Sequence, residues 1–290
     1  MSEAVAVTTD KSRELKLRVA SALVLAPVVL ALTWIGGAPF AALAVLAGVV
    51  MASEWATIVL GRSWALPRLA QLGLVGLGVA AGAGLLPILP GRPETLVATV
   101  SLICAAAVAA VEARGGSGDG RLWAPFGPLY AGLPSLALAA VRAAPQGLWL
   151  VVFLFAVVWA TDIAAYFTGR AIGGPKLWPA VSPKKTWSGA VGGLVAGALC
   201  GAAVAHFAGV PRLFPVILVG VVLSIASQAG DLFESSLKRR FGVKDSGWII
   251  PGHGGLLDRV DGLVAAAAAA ALVAAVNGGL SAVHGGLLVW

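Results

Sequence analysis

Charge is scarce in this chain. Only 11% of its 290 residues are Asp, Glu, Lys or Arg, against about a quarter in an ordinary soluble domain, which excludes a conventional water-soluble globule. Cysteine is nearly absent. Cys104 and Cys200 both lie in apolar runs with no metal-ligating neighbour. That excludes a disulfide framework and a zinc site and leaves both as small packing residues. No G-x-x-x-x-G-K-[ST] loop and no strand-led G-x-G-x-x-G unit occurs, so no separate nucleotide-binding domain is expected. No clear repeat relates the two halves, which argues against the inverted-repeat build of an ion-coupled transporter.

What is present is apolar: 59% of residues are hydrophobic, and 38 are glycine. About nine apolar segments can be drawn, near 18–36, 39–60, 69–89, 95–112, 123–142, 147–168, 189–209, 213–233 and 257–277, each close to the length that crosses a hydrocarbon core. The expected fold class is therefore all-α, a polytopic membrane protein with about nine transmembrane helices. Residues 1–17 form a polar N-terminal tail expected to lack regular structure, and 18–290 form one transmembrane domain. The first apolar run is too long for a cleavable signal peptide and leads into another span. With this count, all of the 20 basic residues except Arg92, Arg142 and Arg212 fall on one face. The positive-inside rule places that face, and the N-terminus, in the cytoplasm. The net charge of +7 then reflects this bias and anionic partners such as phospholipids and nucleotides, not nucleic acid.

The acidic residues share a depth. Glu54, Asp162, Asp231, Glu234, Asp258 and Asp261, six of the 13 carboxylates, all fall toward the cytoplasmic ends of apolar segments. Charge at membrane depth is costly and usually functional. For Glu54 taken alone, snorkelling to the headgroups is the plainer account.

Two loops on the basic face carry polar chemistry. "GRAIGGPKLWPAVSPKKTWSG" runs from Gly169 to Gly189; its glycines and prolines deny it a regular helix. Ser182, Lys184 and Lys185 make it rich in donors for phosphate oxygens. The second loop lies within "GDLFESSLKRRFGVKDSGWIIPGHGGLLDRVDG", Gly230 to Gly262. Asp231 and Glu234 are three residues apart, and Asp258 and Asp261 repeat that spacing at the start of the next span. Two such pairs at adjacent helix ends would repel one another unless a hard cation joined them. Lys238, Arg239, Arg240 and Lys244 supply charge for a polyphosphate. Gly254 and Gly255 would offer backbone N–H donors just before a helix. Carboxylates, cations and a glycine-rich turn together suggest metal-assisted phosphoryl or nucleotidyl transfer.

The stretch Ser235 to Asp261 resembles the signature of the phosphatidate cytidylyltransferases, or CDP-diacylglycerol synthases. The matching positions are Ser235, Lys238, Arg239, Lys244, Asp245, His253, Gly254, Gly255, Asp258, Arg259 and Asp261. "TDIAAYFTGRAIGG", "SPKKTWSG" and "SQAGDLFES" resemble earlier blocks of that family, so the signature region covers 159–262. Upstream, only the hydropathy pattern and "SEW" at Ser53 to Trp55 agree. Two positions depart: Ser188 stands where the family commonly has Glu, and Gly262 where Ser often follows the last Asp.

The resemblance implies transfer of the cytidylyl group of CTP to phosphatidate, giving CDP-diacylglycerol and pyrophosphate, at the cytoplasmic face of the inner membrane. By similarity Asp231, Asp258 and Asp261 hold Mg²⁺, with room for a second cation. Lys238, Arg239, Lys244 and Arg259, with Ser182, Lys184 and Lys185, are candidates for the phosphates. Arg259 either contacts phosphate or orients Asp258 or Asp261. His253 either serves a phosphate as donor or acid, or is structural. Asp162, with Tyr166 one turn away, lines the lipid access or merely packs. A homodimer is compatible with the family. The rival readings are CTP-dependent transfer to another lipid phosphate and, more remotely, an ion-coupled transporter.

Overall fold

The computed structural model of the chain describes residues 2–61, 65–86, 94–114, 118–250 and 254–278. Arg62, Arg92 and His253 lie outside these residues. Among the described residues, ten helices and one hairpin follow in order: α1 Ser2–Ile35, α2 Gly37–Leu60, α3 Leu66–Gly82, α4 Glu94–Ala113, α5 Gly120–Trp123, α6 Phe126–Ala143, α7 Gly147–Ile172, β1 Lys176–Trp178, β2 Ser182–Thr186, α8 Trp187–Phe207, α9 Leu213–Arg240 and α10 Leu257–Gly278. Within hydrocarbon a backbone must satisfy its own polar groups, and helices do so.

Among the described residues, seven helical stretches are long and apolar enough to cross a membrane: Gly37–Leu60, Glu94–Ala113, Gly120–Ala143, Gly147–Ile172, Trp187–Phe207, Leu213–Arg240 and Leu257–Val276. Two shorter apolar helices, Val19–Ile35 and Leu66–Gly82, occupy the first and third expected positions. Bulky aliphatic side chains stand outward along the helices, among them Leu46, Ile103, Val191, Leu199, Leu218 and Leu272. Water would penalise such a surface, whereas lipid accepts it. The chain is an integral membrane protein.

Three expectations need correction. The polar N-terminal stretch is helical, because no Gly or Pro interrupts residues 2–26 and the helix of the first apolar run extends back through it. The Gly169–Gly189 stretch has no helix between Gly173 and Thr186, as expected, but it carries strands: β1 and β2 pair antiparallel, Lys176 opposite Thr186 and Trp178 opposite Ser182, so the protein is nearly, not wholly, all-α. Cys104 and Cys200 are free but exposed on α4 and α8, and neither packs the core.

The two largest buried clusters among the described residues organise the helices. One gathers Met51, Trp55, Val75, Val79 and Leu102 from α2, α3 and α4. The other gathers Phe153, Leu154, Val157 and Leu223 from α7 and α9. The last helix joins them, giving Leu257 and Val264 to the first and Ala266, Ala267 and Ala270 to the second. Small residues bring helices unusually close. A Cβ at Gly189 or Gly193 on α8 would lie 2.7 Å from a carbonyl oxygen of α7, Ala165 O and Thr161 O respectively. The small-residue run of α8 is thus spent on α7 within the chain.

Candidate active site

The site is built around the first turn of α10. A helix start leaves N–H groups without intrahelical acceptors. Here side chains satisfy them one by one. The N–H of Gly255 donates to Asp258 Oδ2 at 3.0 Å. Those of Leu256 and Leu257 donate to Glu54 Oε1 and Oε2 at 2.8 and 2.7 Å. The N–H of Asp258 donates to Ser246 Oγ at 3.2 Å. Gly254 donates to Ile250 O in a small bridge, with Gly254 at φ 86°. The expectation that Gly254 and Gly255 present N–H groups to a phosphate is therefore overturned. Those two donors are spent on protein acceptors.

Asp258 is correspondingly committed. Its Oδ2 also accepts from the N–H and hydroxyl of Ser246, both at 2.8 Å. Its Oδ1 faces Lys238 Nζ at 2.5 Å, and the same ammonium reaches Glu234 Oε2 at 2.7 Å. All three side chains are largely buried. Lys238 thus ties α9 to α10 and keeps one N–H for other use.

The acidic residues pair differently from their sequence spacing. Residues three apart on a helix are offset by about 60° around its axis, enough to face different neighbours. Glu234 takes the Lys238 ammonium, which joins it to Asp258, and also lies within electrostatic reach of Asp261 on α10. Asp231 lies within electrostatic reach of Asp162 on α7 and of the same Asp261. Their approach depends on Gly230, where a Cβ would lie 2.7 Å from Asp261 O. From the hairpin, Lys185 Nζ meets Asp231 Oδ2 at 2.5 Å, and Ser235 Oγ lies 3.4 Å from Oδ1. Asp162 and Asp231 sit about 14 Å below the last residues of α7 and α9, at 1.5 Å per residue, so this second group is recessed along the helices, although Asp162 is itself exposed at the surface of the bundle.

Ser182 and Lys184 lie on β2, with Lys184 exposed. Arg239, Lys244 and Arg259 are exposed around the same end. Lys184, Arg239 and Lys244 form no ion pair among the described residues. Arg240 is drawn away: it pairs with Asp119 at 2.6 Å and lies over the Trp123 ring. Tyr166 accepts a hydrogen bond from Arg170. Ser188, at the position where Glu is common, donates to Gly173 O at 2.5 Å and locks the hairpin to the end of α7.

Beside the carboxylates a shallow, open apolar groove runs between α6, α9 and α10, lined by Tyr130, Ala226, Ala229, Gly230, Phe233 and Ala265. The Tyr130 hydroxyl is buried with no partner among the described residues. Its ring packs on Trp55 and Phe233, with centroids 5.0 and 5.5 Å apart.

The residue the sequence reading undervalued is Glu54. It is only 4% exposed and caps α10 instead of snorkelling. The only signal was the "SEW" triplet, which shows nothing about a partner some 200 positions away.

No group of three His, Cys, Asp or Glu among the described residues is close enough to hold a metal ion by itself. Mg²⁺, however, commonly takes one or two carboxylates and completes its shell with water and substrate phosphates. Asp231 and Asp261 fit that requirement. Of Asp258, only Oδ1 is not already saturated by backbone and hydroxyl donors.

A recessed acidic group with basic residues at its rim, set in a bundle of lipid-facing helices, defines a membrane-embedded enzyme of phosphate chemistry. More particularly, the Cytidylyltransferase family profile matches residues 16–276, and the chain belongs to that family. It is 45% identical to a phosphatidate cytidylyltransferase of Brucella suis over 255 residues, covering 88% of this chain and 91% of the relative. The Brucella abortus protein of the same name is equally similar over the same extent. One from Staphylococcus haemolyticus is 45% identical over 133 residues, 46% of this chain and 50% of its own length.

Proposed function

We propose that the protein transfers the cytidylyl group of CTP to phosphatidate. An oxygen of the lipid phosphate attacks the α-phosphorus of CTP. The bond from that phosphorus to the bridging oxygen of the β-phosphate breaks, and pyrophosphate leaves. The observation that carries this reading is the Asp162, Asp231 and Asp261 group, faced by Lys185 and adjoined by an apolar groove. Two polyanions must be brought together there, one from water and one from lipid.

Asp231 and Asp261 are the carboxylates proposed to hold Mg²⁺, with Oδ1 of Asp258 the remaining donor within the signature; Asp162 would serve a second cation. Bound there, the cation would neutralise charge on the CTP oxygens and on the developing transition state. Lys185, Lys184, Arg239, Lys244 and Arg259 would carry the triphosphate and the lipid phosphate, with Ser182 as a further donor. Lys238 holds Asp258 and Glu234 in place and keeps one N–H for substrate. The apolar groove suits an acyl chain. His253 remains a proposed phosphate donor or acid. The proposed topology keeps nine spans, including α1 and α3, with the N-terminus and the site on the cytoplasmic side of the inner membrane.

Purified protein in mixed micelles with phosphatidate and CTP labelled at the α-phosphate tests this. Label should enter the lipid phase only with Mg²⁺. It should fall by at least about a hundredfold in Asp231→Asn, since transition-state charge stabilisation of this kind is worth several kcal/mol. Folded protein that labels another lipid phosphate but not phosphatidate would overturn the acceptor assignment.

A further inference from the structure

The chemistry of transfer does not itself require a buried carboxylate on α2, yet Glu54 is among the most completely bonded side chains in the protein. It comes from the second helix, 202 and 203 positions from the two N–H groups it accepts. The turn it enters is shaped to receive it. A Cβ at Gly247 would lie 2.6 Å from Glu54 Oε1, and one at Gly255 would lie 2.8 Å from it. Ser246, whose hydroxyl holds Asp258, is 3.4 Å from Oε2. Next to it Trp55 is 1% exposed and donates its indole N–H to Trp123 O at 3.0 Å, anchoring that stretch of α2.

We infer that Glu54 is a positioning residue for the transfer: it fixes the first turn of α10, and with it the rotation and depth of Asp261 opposite Asp231. The physical reason is local. The opening turn of a helix is its least secure part, because its N–H groups lack internal acceptors. Asp258 and Asp261 both lie within about a turn of that start. Each residue of slip along a helix rotates its side chains by about 100°, so a loosened first turn would carry Asp261 away from Asp231. A carboxylate supplied by a separate, firmly packed helix removes that freedom. The negative charge also suits the positive end of the α10 dipole. Glu54 touches no substrate on this reading; it acts through α10.

The inference rests on the cytidylyl-transfer reading, and wild-type labelling of phosphatidate decides that reading before any variant is considered. The test compares Glu54→Gln with Glu112→Gln. Glu112 is a carboxylate of similar chemistry, ion-paired at 2.9 Å to the buried Arg68 between α3 and α4, away from the site. Gln at position 54 keeps the size and one acceptor oxygen but turns an amide donor toward the second N–H. Expected for Glu54→Gln is a fall in kcat of about 10- to 100-fold, the scale on which outer-shell partners act, with the KM for CTP within about threefold. The Mg²⁺ concentration for half-maximal rate should rise. Glu112→Gln should lower thermal stability while leaving kcat and the Mg²⁺ requirement near wild type. Folded Glu54→Gln with wild-type kcat overturns the inference. So does a loss of rate in both variants that simply tracks their loss of stability. Should Glu54→Gln fail to accumulate, Gly247→Ala decides. It displaces the carboxylate without removing its charge, and the same loss of kcat at unchanged KM supports the inference, whereas an unchanged rate overturns it.

Discussion

Single side chains here are distinguished by what they hold more than by their charge. Lys185 and Asp231 pair at 2.5 Å with side chains 27% and 36% exposed. A pair that exposed contributes at most about 1 kcal/mol to stability, so Lys185→Met should leave the melting temperature almost unchanged. Its loss should appear in substrate binding, as a rise of about tenfold in KM for CTP or phosphatidate, because one charge opposing two polyanions is gone. Steady-state kinetics beside a thermal scan separates the two effects. The departure at Gly262 reads the same way. A Cβ there would lie 2.5 Å from Ser227 Oγ, a buried hydroxyl without a partner among the described residues and free to rotate. Gly262→Ser should therefore cost about 1 kcal/mol in thermal unfolding, the low end for added volume in a packed site, with activity retained.

At the scale of elements, contact between backbones sets the site. Gly230 on α9 differs from Gly262 because a carbonyl oxygen of α10 stands in its way: a methyl group at Gly230 would meet Asp261 O at 2.7 Å. Backbone cannot rotate aside as a hydroxyl can. Gly230→Ala should force α9 from α10, destabilise by about 1–3 kcal/mol, and abolish transfer by parting Asp231 from Asp261. Labelling of lipid, measured below the melting temperature of the variant, checks this. The hairpin plays the complementary part. Thr186 caps α8 by accepting from Gly189 N at 3.1 Å, and Ser188 ties that junction to Gly173. Lys185 is thereby delivered to Asp231 from a short, pinned strand.

For the whole molecule, the open quantity is orientation. In a Cys104→Ala, Cys200→Ala background, Lys244→Cys should react with an impermeant maleimide in inverted vesicles and resist it in right-side-out spheroplasts. Arg212→Cys, at the opposite end of α9, should do the reverse. Labelling of both from one side would refute the proposed topology. A homodimer, if built on small residues, cannot use the Gly189 and Gly193 face of α8, because α7 already occupies it.

Sequence by itself determined the class, the placement of the apolar helices and the family's motif, because hydropathy, breakers and residue spacing are local properties of the chain. It also brought Asp231 and Asp261 into the same region. Only the tertiary structure decided which carboxylates meet: Asp261 near both Asp231 and Glu234, Asp162 near Asp231, and Glu234 joined to Asp258 through Lys238. Only it gave the N–H groups of the Gly254–Gly255 turn to protein acceptors in place of a phosphate, and only it made Glu54 the cap of α10. These outcomes depend on which faces of packed helices meet, across some 200 residues of chain, and helix spacing alone carries no record of the neighbour a side chain will find.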